Sequence, residues 1–309
     1  MRAYPGISPI AWWNDDLEEL SEDVSLRECL RQCRAAGFLG VENGRRFPQT
    51  PQALLPVLNE AGLRVCGGWF SGHLLSGDLE EEKDRILPQL ELFRAAGAPC
   101  ITYGETAGSI QGRRERPLAT KRVLSEDEMR TYGHRLTAFA EWCADRGMPL
   151  SYHHHMGAVV QTGPEIEALL RHSGPALPLL YDTGHLVLAG ADPLEVLDRH
   201  HARINQVHLK DVRSGILRTV NPRRESFLDA VVRGVFTVPG DGDLAFPPIV
   251  DRLAGYGYEG WFVVEAEQDP RPCPPETMAR RGGATVVRLL REAGYSVVEE
   301  PWRGPDSPR

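Results

Sequence analysis

Imidazole- and carboxylate-bearing side chains gather in four short strings: His153-His154-His155, Asp182-Thr183-Gly184-His185, His208-Leu209-Lys210-Asp211 and Glu265-Ala266-Glu267-Gln268-Asp269. Each string closes a short apolar run of the kind that forms a buried strand. A carboxylate or imidazole at such a place is costly unless it is paired or bound to a cation. The strings therefore imply either a satisfied polar cluster or a metal centre. Alternation along a strand puts His153 and His155 on one face with His154 on the other, and puts Glu265 and Glu267 together. Placed at one height of a closed barrel, His153, Asp182, His208 and Glu265 bring two imidazoles and two carboxylates to one point. Mixed nitrogen and oxygen donors suit Mn(II), Co(II), Fe(II) or Zn(II), whereas all-oxygen sets favour Mg or Ca.

The flanking residues have two readings each. His154 is expected at the surface or behind the ligands. His185, just past its strand, is placed to orient a bound substrate, or to hydrogen-bond a ligand. Lys210 either pairs with Asp182 or Glu265 or holds an oxyanion, because a buried lysine needs a partner. Earlier strand ends add Asn14, Glu42, Trp69 and Glu105, a set of amides, carboxylates and aromatics that fits a polyol pocket. Trp13 and Trp69 have core packing as their other reading, and His73, His134, His172, His200 and His201 read as surface histidines. The chain has no Gly-rich nucleotide fingerprint, no phosphate-binding loop and no Gly-x-Ser-x-Gly nucleophile string.

Such a cluster needs elements to hold it, and the sequence supplies a regular series. Apolar runs at 7–14, 38–43, 64–71, 100–105, 150–155, 177–182, 204–210 and 260–267 alternate with helix-period segments. Several helices finish in glycine before the next strand, as in Ala61-Gly62 and Ala96-Gly97, where glycine accepts the left-handed turn. Eight β/α units point to an α/β fold of the (β/α)8 TIM-barrel type, a single domain over residues 1–309. Two long departures, at about 106–124 and 212–244, follow the fourth and seventh strands, at the end where such barrels build active sites. The tail 301–309 is expected to fray.

Composition narrows the function. Among 309 residues, 35 Lys and Arg face 43 Asp and Glu, for a net charge of -8. An acidic chain without a basic run disfavours nucleic acid as a partner. No apolar run approaches a membrane span, and the short polar start is unlike a cleaved signal, so a cytoplasmic location is expected. The six cysteines have no metal-binding spacing and read as thiols.

Taken in order, several strings resemble the inosose dehydratases, which are xylose isomerase-like barrels alongside ketose epimerases and an abasic-site endonuclease. They are Trp69-Phe70-Ser71, Ser109-Ile110-Gln111-Gly112, Tyr152 to Gly157, Asp182 to Leu186, Val207 to Asp211, Ser226 to Asp229, Phe236 to Gly242 and Val264 to Pro270. The likeness runs from Gly6 to about Leu290. It implies loss of water from 2-keto-myo-inositol (scyllo-inosose) to a trihydroxycyclohexane-1,2-dione, with Mn(II) or Co(II) and with glutathione as a further requirement. It also implies Gln111 as a substrate contact. In the epimerases the fifth-strand ligand is usually a glutamate, and His153 stands there instead. Their pair of glutamates for proton transfer is then incomplete.

A cation on a ketone and its neighbouring hydroxyl acidifies the C–H beside them. The expected assignment is metal on His153, Asp182, His208 and Glu265, with Glu265 or Glu267 taking the proton. His155, His185 or Lys210 would stand near the leaving hydroxyl. The alternatives are a ketose isomerase or epimerase using the same centre, and a polyol-binding barrel without catalysis. Self-association is an expectation by analogy with other barrels.

Overall fold

The computed structural model describes residues 1–300 except Glu22; the expected frayed tail lies outside the described residues. Eight parallel strands form a closed barrel: β1 (Arg2–Ile7), β2 (Gly40–Asn43), β3 (Arg64–Gly72), β4 (Ile101–Glu105), β5 (Leu150–His153), β6 (Leu179–Asp182), β7 (Ile204–Leu209) and β8 (Gly260–Val264). Each pairs with its sequence neighbour, and β8 returns to β1 in the register Ala3 to Gly260 through Ile7 to Val264. A two-residue strand, Ser296–Val297, extends the sheet beside β1. Helices α1 (Leu26–Ala35), α2 (Pro51–Ala61), α3 (Leu79–Ala96), α4 (Glu126–Ala144), α5 (Gly163–His172), α6 (Pro193–His200), α7 (Phe246–Gly255) and α8 (Pro275–Glu292) follow successive strands. This is the TIM barrel read from the alternation of apolar runs and helix-period segments.

Local chemistry sets the boundaries. Ser125 and Thr162 form capping boxes with Glu128 and Glu165 at the starts of α4 and α5, which satisfies otherwise unpaired helix N–H groups. Gly62 and Gly97 end α2 and α3 in the left-handed conformation, with φ of 67° and 68°, as the turn chemistry requires.

The first strand differs from the expected 7–14. It is Arg2–Ile7, because Pro9 cannot donate to a strand ladder and opens a 3-10 turn over Pro9–Ala11. Trp12, Trp13 and Asn14 therefore fall beyond the strand. β5 likewise stops at His153 and β8 at Val264, so His155, Glu265 and Glu267 leave the sheet at the C-terminal rim.

Below the rim, Leu39, Cys66, Trp261 and Val263 form a buried cluster. The Trp261 ring crosses β1 and β2 so closely that a Cβ at Gly40 would collide with it. Above the rim, the two long segments support each other. Leu118 and Ala119 donate N–H bonds to the carbonyls of Glu225 and Pro222 at 2.9 and 2.7 Å. Leu118, Val212, Phe227 and Phe236 share an apolar cluster with Leu17 and Leu20. The Asp211 carboxylate accepts from the N–H groups of Val212, Gly240, Gly242 and Leu244, fastening the second segment back to β7. No helix among the described residues is long and apolar enough to cross a membrane.

Candidate metal centre and active site

At the C-terminal rim of β5 to β8, one ligand atom each from His153, Asp182, His208 and Glu265 lies within 4.8 Å of the others, and all four residues are buried. The orientation of each follows from its second contact. His153 Nδ1 is 2.5 Å from the His154 carbonyl oxygen, to which it donates, leaving Nε2 facing Asp182 Oδ2 at 3.6 Å. His208 Nε2 donates to Glu42 Oε1 at 3.0 Å, so Nδ1 is the nitrogen turned to Glu265 Oε2 (2.6 Å) and Asp182 Oδ2 (3.6 Å). A hydrogen bond at the far nitrogen is the usual way a ligand imidazole is held in place. Asp182 Oδ1 accepts from the His185 N–H at 2.9 Å, but Oδ2 has no hydrogen-bond partner although the residue is fully buried. An orphaned buried carboxylate oxygen among two imidazoles and a second carboxylate fits a small divalent cation, which needs less room than a water molecule.

A second group lies beside the first. His155, His185 and Glu267 also offer atoms within 4.8 Å of one another, and Lys210 Nζ stands 2.7 Å from Glu267 Oε2 and 2.9 Å from His185 Nε2. The sequence paired Lys210 with Asp182 or Glu265; the ammonium is 3.5 and 3.2 Å from them and has Glu267 as its nearest carboxylate.

Charge in this floor is strongly coupled. Burial alone would raise Asp182 and Glu267, but the Lys210 ammonium outweighs it, with help from the imidazoles, and both carboxyls lie below their usual range, Asp182 far below. Burial would lower His208, yet Glu42 and Glu265 carry it well above its usual value. Burial depresses His153 and His185 and pushes His154 down to about 4.

These groups close one side of a pocket of about 870 Å³, which His153, His155, His208, Glu265 and Glu267 reach. Trp69 lies edge-on to His153 and His155, with ring centroids at 5.8 and 5.7 Å. Its Nε1–H donates to Ser71 Oγ at 2.9 Å. Glu42 and Gln111 also line the pocket, the latter accepting from Ser109 Oγ at 3.1 Å. His185 and Lys210 are absent from its lining and sit behind His155 and Glu267.

Two expectations change and one is narrowed. Asn14, expected at a strand end facing substrate, uses Oδ1 to accept from the N–H groups of Asp16 and Leu17 at 3.0 and 2.9 Å. It shapes a turn and is absent from the pocket lining. Of the two readings of His154, at the surface or behind the ligands, the second holds: it is fully buried, its carbonyl accepts from His153 Nδ1, and neither ring nitrogen has a hydrogen-bond partner. Glu105 faces away from the pocket. In β4 the inward positions are Thr102, which lines the pocket, and Gly104, where a Cβ would collide with the Trp69 ring. Tyr103 and Glu105 therefore face the helices. Thr102 was missed by the sequence reading, although the same alternation marks it.

Glu105 accepts from the N–H groups of Leu75 (3.0 Å) and Ala107 (2.9 Å) and from Tyr103 Oη (3.3 Å). Burial lifts its pKa from 4.5 to about 7. A carboxyl raised in the folded state binds its proton more tightly there. Its stabilising share is complete below pH 4.5 and is lost as pH rises through about 7. A shift of this size is worth about 3 kcal/mol. Glu105→Gln should flatten the fall in stability over that window, measured by urea midpoints across pH; an unchanged slope would assign the effect elsewhere.

Gly104 supplies a second test. Gly104→Ala should push the Trp69 indole toward the pocket, cost about 1–3 kcal/mol of stability, and raise KM more than it lowers kcat. A variant with unaltered unfolding and kinetics would show that the close approach is not limiting.

Residues 30–292 match the family model described as xylose isomerase-like TIM barrel, the class that the barrel and its rim cluster define. Over 290 residues the chain is 43% identical to the rhizopine catabolism protein MocC of Rhizobium meliloti, covering 94% of this chain and 89% of that one. Over 272 residues it is 43% identical to inosose dehydratase of Geobacillus thermodenitrificans, covering 87% and 91%. Among solved structures it is similar to the IOLI protein with a bound zinc atom, at a TM-score of 0.63, 13% identity, and coverage of 94% and 99%. The chain thus belongs to the xylose isomerase-like TIM barrel family, and within it to the group that holds the inosose dehydratases and MocC.

Proposed function

We propose that the protein is a metal-dependent hydro-lyase that removes water from 2-keto-myo-inositol, giving a trihydroxycyclohexane-1,2-dione in inositol catabolism. The observation that carries this reading is the buried His153, Asp182, His208 and Glu265 set opening on a polar pocket, in a chain 43% identical to an inosose dehydratase over most of both lengths. The four residues would hold Mn(II) or Co(II), as the resemblance implies, and the mixed donor set is compatible with either.

Such an ion supplies a Lewis acid, drawing electron density from a ketone so that the neighbouring C–H becomes acidic. The protein's own groups do the rest. Glu267 reaches the pocket and is held ionised by Lys210, so it is the proton acceptor. His155 donates through Nδ1 to the Met156 carbonyl at 2.9 Å, which turns Nε2 toward Glu267 and the pocket. That nitrogen is placed to hand a proton to the departing hydroxyl. His185 and Lys210 position these two from behind, and Glu42 positions His208. The Trp69 indole gives the C–H surface of a cyclic polyol an apolar wall.

Purified protein stripped of metal and reloaded with Mn(II), Co(II), Fe(II) or Zn(II) should convert 2-keto-myo-inositol to the dione, followed by ultraviolet absorbance. Addition of glutathione tests the thiol requirement. Full activity in chelated protein, or none with any metal, would overturn the reading. The likeness to MocC favours one other reading, the same water loss from a cyclic ketone of rhizopine catabolism, which a parallel assay on that class of ketone decides. Uptake of solvent deuterium into a ketose without water loss would instead point to an epimerase.

A further inference from the structure

Three carboxylates, Asp182, Glu265 and Glu267, share the buried floor, and Lys210 Nζ reaches all of them, at 3.5, 3.2 and 2.7 Å. The lysine is built in rather than draped over the site. Its backbone N–H donates to Thr183 Oγ1 at 3.0 Å, and that hydroxyl donates to its carbonyl at 2.8 Å. Its stem runs so close to Gly184 that a Cβ there would collide with it. Its ammonium lies 4.7 Å from the centre of the Phe236 ring, and the residue has no exposed surface.

That ammonium stands against a second set of metal-binding side chains, 2.9 Å from His185 Nε2 and 2.7 Å from Glu267 Oε2. His155, His185 and Glu267 would serve a divalent ion as two nitrogens and one oxygen, the donor pattern of many transition-metal sites. Two of the three already hydrogen-bond to the lysine. A divalent ion in the first set and one ammonium in the second balance the charge of the three shared carboxylates. With the ammonium in place a second divalent ion would bring five positive charges against these three carboxylates and the adjoining Glu42, whereas two ions without it bring four, and positive charge left uncompensated out of water is strongly unfavourable.

We propose that His155, His185 and Glu267 form a second divalent-metal site held closed by the Lys210 ammonium, so that the protein takes one metal per chain and loss of that amine opens it to two. The inference rests on the reading of His153, Asp182, His208 and Glu265 as the first metal site. The lysine thereby acts as a fixed cation, keeping Glu267 and His155 free for proton transfer.

The test is metal stoichiometry. Chelator-stripped full-length protein is titrated with Co(II), the ligand-field absorption is followed, and bound cobalt is counted by elemental analysis after desalting. Wild type should take one equivalent. Lys210→Met should take two, the second bound at least about a hundredfold more tightly than any further equivalent in wild type, equivalent to about 2.7 kcal/mol. Lys210→Arg should remain at one, and Lys210→Met with His185→Gln should return to one. Should Lys210→Met not fold, Lys210→Gln carries the same expectation, and His185→Gln alone should leave the wild-type count at one. Two equivalents in wild type, or one in a folded Lys210→Met or Lys210→Gln protein, overturns the proposal. No cobalt in wild type overturns the first-site reading instead.

Discussion

Asp182→Asn should abolish tight metal binding and lower kcat/KM by about a thousandfold or more, a loss of roughly 4 kcal/mol of transition-state stabilisation. The substitution is nearly isosteric, and its carbonyl oxygen can still accept from the His185 N–H that Oδ1 now serves, so the turn after β6 should persist. What changes is Oδ2, the buried oxygen that accepts no hydrogen bond. An amide placed there turns N–H groups toward the position of the cation and removes one of the carboxylates that Lys210 and His208 face. Metal that binds only the folded protein raises its stability by mass action. Added Mn(II) or Co(II) should therefore raise the melting temperature of wild type but not of the variant. His134→Gln, on an exposed face of α4, serves as the control and should behave as wild type. If Asp182→Asn keeps both its metal and its rate, the four-residue set is not the centre.

Much of this arrangement is legible from the period of two along β5 to β8. His153, Asp182, His208 and Glu265 each end an apolar run, and closing the barrel brings such ends together. The same rule was sufficient for Glu105, where counting back through Gly104 to Thr102 turns the glutamate toward the helices. A strand end that looks polar is not by itself a pocket residue. Asn14 departs from expectation for a different reason: the strand ends before Pro9, and the residues beyond it lie in a turn. The pairing of Lys210 with Glu267 and His185 could not be read from one dimension. It depends on how the chain leaves β8 after Val264, where no repeat constrains it. The packing of Trp69 over Gly104 is likewise a property of two adjacent strands and has no signature in either alone.

The proposed division of roles, with Glu265 holding the cation and Glu267 moving the proton, is tested by paired substitutions. Glu267→Gln keeps the side chain's shape, and its amide oxygen can still accept from Lys210 at the position now 2.7 Å away. It removes the proton acceptor without touching the first ligand set. Metal content should be unchanged, KM nearly so, and kcat should fall by about 10²–10⁴, the usual worth of a positioned acid or base. Exchange of the ketone's neighbouring C–H with solvent deuterium should fall in parallel, because proton removal precedes loss of the hydroxyl. Glu265→Gln should instead lose metal along with rate, since Glu265 Oε2 is the oxygen 2.6 Å from the ligand nitrogen of His208. The opposite pattern, with metal lost in Glu267→Gln and kept in Glu265→Gln, would exchange the two roles. The geometry argues against that exchange, because the nearest partner of Glu267 is the Lys210 ammonium at 2.7 Å, whereas that of Glu265 is the His208 imidazole at 2.6 Å.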